Sequence, residues 1–166
     1  MKKARASSGD VGIGRVRALD ETKTCVRRLL KSEPWVTLRF DYKTTLKALR
    51  DKKTEVFLAR VDGGVTGFVV WNLSGPLRGY IHVLCVWPEW RGRGIGRKLL
   101  AFAERRILRE GPNVFLCVSS FNKGAQRLYK RLGYRKVGEL KDYVVKGHSE
   151  FLMRKSIGPI MGDKAR

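Results

Sequence analysis

Three glycines at alternate positions, in Arg91-Gly92-Arg93-Gly94-Ile95-Gly96, lie between an apolar run and a helical pattern, with Arg97 and Lys98 following. Glycine lets backbone approach a ligand closely. The unpaired amides of a helix start, with the helix dipole and nearby cations, suit a pyrophosphate. A basic tight turn would share this composition, so the loop taken alone leaves both readings open. Two nucleotide sites are excluded by spacing. A P-loop needs a hydroxyl for magnesium, and Gly96-Arg97-Lys98-Leu99 has none. A Rossmann loop needs its third glycine where Arg97 stands, and belongs near the first strand, not past mid-chain.

Other residues able to do chemistry are few. Tyr129 could donate a proton, but Ala125, Leu128, Tyr129 and Leu132 form one helix face, where an aromatic is ordinarily core. His82, inside Tyr80-Ile81-His82-Val83-Leu84-Cys85-Val86, titrates near neutral pH and could accept one; a core histidine bonded to backbone is the competing reading. Cys25, Cys85 and Cys117 lack the short paired spacing of a zinc or thioredoxin-like site and fit a reducing, intracellular setting. No metal is expected. Cys117, in an apolar strand, is a poor nucleophile.

The elements that must position these residues can be read along the chain. Val11 to Leu19 alternates as a first strand, followed by helices near Thr22 to Lys31 and Tyr42 to Asp51, with Pro34 between them. Glu55 to Val61 and Val65 to Leu73 form a hairpin through Asp62-Gly63-Gly64. Tyr80 to Val86 is a buried strand. Ile95, Leu99, Leu100, Ala103 and Ile107 then recur at helical spacing. Val114 to Val118 is a strand and Asn122 to Leu132 a helix that Gly133 ends. Two last strands span Tyr134 to Val145 and Glu150 to Lys155, turning at Lys146-Gly147.

The run from Val83 through Trp87-Pro88-Glu89-Trp90 to Gly96 resembles the acetyl-CoA signature of GNAT-family N-acetyltransferases, with Arg/Gln-x-x-Gly-x-Gly/Ala at its centre. A second block, Asn122-Lys123-Gly124-Ala125-Gln126-Arg127-Leu128-Tyr129-Lys130-Arg131-Leu132-Gly133-Tyr134, resembles the family's downstream motif. Order and separation agree across residues 80 to 135.

The resemblance implies an α/β fold (an α+β sandwich): one GNAT-like domain with a central mixed, mostly antiparallel sheet of six or seven strands and about four flanking helices. Residues 11–156 would form this domain, between a flexible basic N-terminus (1–10) and a flexible tail (157–166). The implied activity is transfer of acetyl from acetyl-CoA, the cosubstrate, to a primary amine of a protein N-terminus or small molecule, by direct attack in a ternary complex.

By the same resemblance, Leu84, Cys85 and Val86 offer backbone hydrogen bonds to the pantetheine arm, and Arg91, Gly92, Arg93, Gly94, Ile95, Gly96 and Arg97 hold the pyrophosphate. Asn122 caps its helix and contacts the coenzyme. Tyr129 meets the coenzyme and protonates the departing thiolate. The glutamates that serve as bases elsewhere in the family are absent at Cys117 and near Tyr80. The Tyr80–Val86 segment is instead similar to the His-Leu-His-Val-Leu-Ala-Val of serotonin N-acetyltransferase, which makes His82 the preferred base, with Glu33, Glu89 or water as alternatives. Trp35, Phe40, Tyr42 and Tyr143 are candidates to line the acceptor pocket.

The 166 residues suffice for one domain without metal or disulfide staples, and their formal charge is +21. Between Arg91 and Lys136, 13 Lys or Arg stand against Glu104 and Glu110, a net of +11. Such a surface attracts an acidic protein, the ribosome or nucleic acid. A basic nucleic-acid or ribosome-binding module on this fold, or an acetyl-CoA-binding regulator without catalysis, are the alternative functions. No run is long enough for a membrane span, no signal peptide is visible, and a cytoplasmic protein is expected.

Overall fold

Val, Phe, Trp and Thr dominate Thr54–Val61 (β2) and Gly64–Asn72 (β3), which pair antiparallel around Asp62-Gly63 in the computed structural model. The structure describes residues 10–161. The terminal segments expected for 1–10 and 157–166 fall largely outside them. Ile157, however, donates its amide to Pro112 at 2.9 Å, so the chain beyond the last strand begins anchored.

The remaining elements are β1 (Gly12–Arg15), α1 (Leu19–Leu29), α2 (Tyr42–Leu49), β4 (Tyr80–Val86), α3 (Ile95–Glu110), β5 (Asn113–Ser119), α4 (Lys123–Arg131), β6 (Arg135–Leu140) and β7 (Glu150–Ser156). The seven strands form one sheet in the order β1-β2-β3-β4-β5-β7-β6. Every neighbouring pair is antiparallel except β4 with β5. The four helices cover both faces in a single α/β domain with a mixed, mostly antiparallel sheet, as expected.

Each face has its own core. Trp71, Ile81, Leu99, Ala103, Leu116, Tyr129 and Met153 meet on the α3 and α4 side. Cys25, Leu29, Leu58, Phe68, Val83, Cys85 and Trp87 meet on the α1 and α2 side. Fully buried side chains such as Leu58 and Leu99 contribute about 1.5–3 kcal/mol each. Side chains of β2 and β3 supply both layers because alternate residues point to opposite faces.

Three boundaries differ from expectation. The first strand stops at Arg15 and α1 begins at Leu19. The carboxylate of Glu21 accepts the amide of Arg17 at 2.7 Å and closes that first turn without a hydroxyl cap. The strand expected to reach Val145 ends at Leu140. Asp142 takes a φ of 50° and its Oδ1 accepts the Gly147 amide at 2.6 Å, which coils 141–149 into a loop. That loop is pinned to the end of β5 by Ser120 N–H to Ser149 O, 2.8 Å.

Candidate active site

The parallel pairing of β4 with β5 covers only Tyr80 opposite Phe115 and Ile81 opposite Leu116. Beyond it the two strands separate. The separation starts at an irregularity in β4: Val70 pairs with Val83 and Trp71 with Ile81, so His82 is a surplus residue, a bulge. Bulges bend a strand and increase its twist. Here the bend falls where pairing with β5 stops, and the result is a cleft of about 1510 Å³ that runs across the middle of the sheet.

At one end the cleft reaches the start of α3. Gly94 is its N-cap at φ 78° and no side chain caps this end. Gly92 has φ 75°. Both conformations belong to glycine, and a Cβ on either would meet nothing within 4 Å. The amides of Ile95, Gly96 and Arg97 belong to the first turn and have no intrahelical acceptor. Unpaired amides at a positive helix end, bare of side chains and bordered by Arg91 and Arg97, fit a pyrophosphate. Arg93 is turned elsewhere: its guanidinium donates to Glu89 O at 3.3 Å and lies 4.7 Å from the Trp90 ring centroid. Its side chain is not in the cleft wall, which leaves its amide as the group it can offer.

The edge of β4 faces the gap selectively. Trp87 donates its amide to Thr66 O at 2.9 Å, and Cys85 O lies against Gly67, so close that a Cβ there would sit 2.5 Å from it. Cys85 and Trp87 therefore bond towards β3. By strand alternation Leu84 and Val86 direct their polar groups to the gap. Arg91 Nε already occupies Val86 O at 3.1 Å. Of the three residues expected to receive an extended ligand, Leu84 and Val86 are oriented for it and the backbone of Cys85 is not.

Asn122 caps α4, its Oδ1 accepting the Ala125 amide at 3.1 Å, and lines the cleft. At the other end of α4, Gly133 has φ 90°. There Tyr134 N–H reaches Tyr129 O at 3.0 Å and Gly133 N–H reaches Lys130 O at 3.1 Å, the paired bonds of a Schellman cap. The Tyr134 ring stands 5.7 Å from that of Tyr129. Tyr129 is 8% exposed and lines the cleft, so it is both core and cleft wall. Burial pushes its hydroxyl up to about 12, which keeps it protonated at neutral pH.

His82 lies on the cleft wall with its Nε2 2.8 Å from Asn72 Nδ2 and its ring 4.9 Å from that of Tyr80. Desolvation holds its pKa below 6.5, favouring the neutral imidazole. With Asn72 Nδ2 donating to Nε2, the neutral ring's one lone pair is occupied and its proton sits on Nδ1; with Asn72 turned to present its otherwise unpartnered Oδ1, Nε2 carries the proton and Nδ1 is free to accept one. Asn72, absent from the sequence reading, thus sets which ring nitrogen is free. No sequence pattern marks it, because the contact is made across the bulge.

Other expected residues divide. Glu33, Trp35, Phe40 and Tyr143 line the cleft, whereas Tyr42 packs against the second core. Glu89 is paired with Arg28 outside it. The Cys117 thiol is pushed up by burial, which opposes a nucleophilic role. Among the described residues no cluster of His, Cys, Asp or Glu could hold a metal, and no helix is long and apolar enough to cross a membrane.

Residues 18–134 match the family model of the acetyltransferase (GNAT) family. The chain belongs to this family. An N-alpha-acetyltransferase of Sulfurisphaera tokodaii is 30% identical over 128 residues, 69% of this chain and 76% of that protein. The ribosomal-protein-S18-alanine N-acetyltransferase from Escherichia coli has a similar fold, with TM-score 0.74, 17% identity, and coverage of 95% of this chain and 99% of that one. An aminoglycoside 6'-N-acetyltransferase complexed with coenzyme A gives TM-score 0.74 at 16% identity, covering 89% and 97%. The GNAT protein described here is an acetyl-CoA-dependent N-acetyltransferase.

Proposed function

We propose that this enzyme acetylates the α-amine of a polypeptide N-terminus by direct attack in a ternary complex. The observation that carries the reading is that one cleft brings together the α3 amides, the free edge of β4, Tyr129 and His82. The 30% identical N-alpha-acetyltransferase supports the α-amine over other primary amines. The cleft, whose wall includes Tyr143 and Val144, has a volume that leaves room for an acceptor beside the coenzyme.

Acetyl-CoA supplies an activated thioester. The chain binds its pyrophosphate with the amides of residues 92 to 97 and its pantetheine arm with Leu84 and Val86. His82, neutral with its Nε2–H donating to Asn72 Oδ1, takes a proton on Nδ1 from the acceptor ammonium, directly or through water, so that a free electron pair is available for attack. Tyr129, protonated and buried, gives a proton to the leaving sulfur. Cys117 takes no covalent part.

Initial-rate kinetics with acetyl-CoA and a peptide bearing a free N-terminus test this reading. Intersecting lines are expected, and Tyr129→Phe should lower kcat roughly 10²-fold while acetyl-CoA still binds. Parallel lines with an acetylated Cys117 would replace direct attack by a covalent route.

A ribosome or nucleic-acid contact is a second reading. The solvent side of α4 and the following turn presents Lys123, Arg127, Lys130, Arg131, Arg135 and Lys136, all exposed. RNA binding that weakens steeply with salt would support it.

A further inference from the structure

β7 opens with a carboxylate that the fold leaves unpaired. Glu150 is 5% exposed, its Oε1 is buried without a hydrogen-bond partner, and it lines the cleft. It pairs in register with Ser119 of β5. Leu116 and Val118 of that strand enter the first core, so Cys117, Ser119 and Glu150 share the opposite face. The titratable groups around Glu150 are Tyr80 from β4, Cys117 from β5, and His148. None of these is a fixed cation. Burial raises the carboxyl's pKa, with Ser119 and His148 acting in the opposite direction.

An unpaired buried carboxylate is costly to fold. It becomes favourable when a cationic ligand completes the pair. The cleft wall as a whole is balanced in charge, with Glu33, Asp41, Asp51 and Glu150 set against Arg39, Lys53, Arg91 and Arg97. In a chain of net charge +21, a wall with no excess of cations is set apart from the surface around it.

Resting on the amine-acetyltransferase reading above, we infer that Glu150 is the ammonium-binding residue of the acceptor subsite, pairing with the protonated primary amine before transfer. Glu150 binds; the proton transfer stays with His82.

The test compares wild type with Glu150→Gln and Glu150→Asp, using acetyl-CoA and a lysine-free heptapeptide with a free N-terminal alanine. Glu150→Gln should raise KM for the peptide at least roughly tenfold. The acetyl-CoA Kd should be unchanged, and the melting temperature equal or higher, because an unpaired buried charge has gone. Glu150→Asp, which keeps the charge, should recover part of the affinity. An unchanged peptide KM in Glu150→Gln, or a loss shared equally by acetyl-CoA binding and melting temperature, would overturn the inference alone. A wild-type enzyme that acetylates no amine would overturn the functional reading and the inference with it.

Discussion

Two parts of the cleft wall are built by different means. The α3 end is made of backbone: glycines at positive φ, amides of a helix's first turn, and a strand edge left open by a bulge. The rest of the wall is made of side chains drawn from residues distant in sequence, among them Glu33, Asp41, Tyr80 and Glu150. A backbone site depends on local conformation, so contiguous residues encode it. A side-chain site depends on tertiary contact, and its members have no common spacing.

The largest effect is expected at Gly94. Gly94→Glu puts a bulky anion into the phosphate cradle and strains a φ of 78°. Calorimetry should show acetyl-CoA affinity lowered by about three orders of magnitude or more. Binding that survived would mean that the amides are not the site.

His82 sharpens the contrast through pH. Its pKa is lowered, so the neutral, proton-accepting form persists below pH 6.5, and activity falls only as pH drops through that lowered value. Tyr80 and Asn72 are the groups that face it. His82→Ala should lower kcat/KM roughly 10²-fold and remove this acid limb. An unchanged pH profile would hand the base role to water.

The smallest expected effect is at Gly133. Alanine at φ 90° loosens the cap that fixes Tyr129, costing about 1 kcal/mol and about 2–4 °C in melting temperature. The acetyl-CoA Kd should not change, since the α3 end is built independently.

What the sequence revealed follows the same division. Gly92, Gly94, Asn122 and Gly133 were legible because turns and caps have strict residue preferences. The strand order was legible from apolar runs and the hairpin at Asp62-Gly63. Asn72 and Glu150 were not: each acquires its meaning only through register, one opposite the bulge and the other beside Ser119. Cys85 was over-read for the opposite reason, and so was the side chain of Arg93, though not its amide. Motif position was taken to imply side-chain or backbone direction, and strand alternation and the Trp90 ring decide otherwise. The overlong last hairpin reflects Asp142, whose turn-forming bond has no apolar signature.

The surplus residue in β4 has a further consequence. Ile81 enters one core and Val83 the other, so the strand's inward and outward alternation passes over His82 as though it were not there. Neither hydrophobic layer constrains what occupies that position. It behaves as a socket set into a finished scaffold, in which one side chain can be exchanged for another of different acidity while both cores keep their packing, so the chemistry at this point can change without a change of fold.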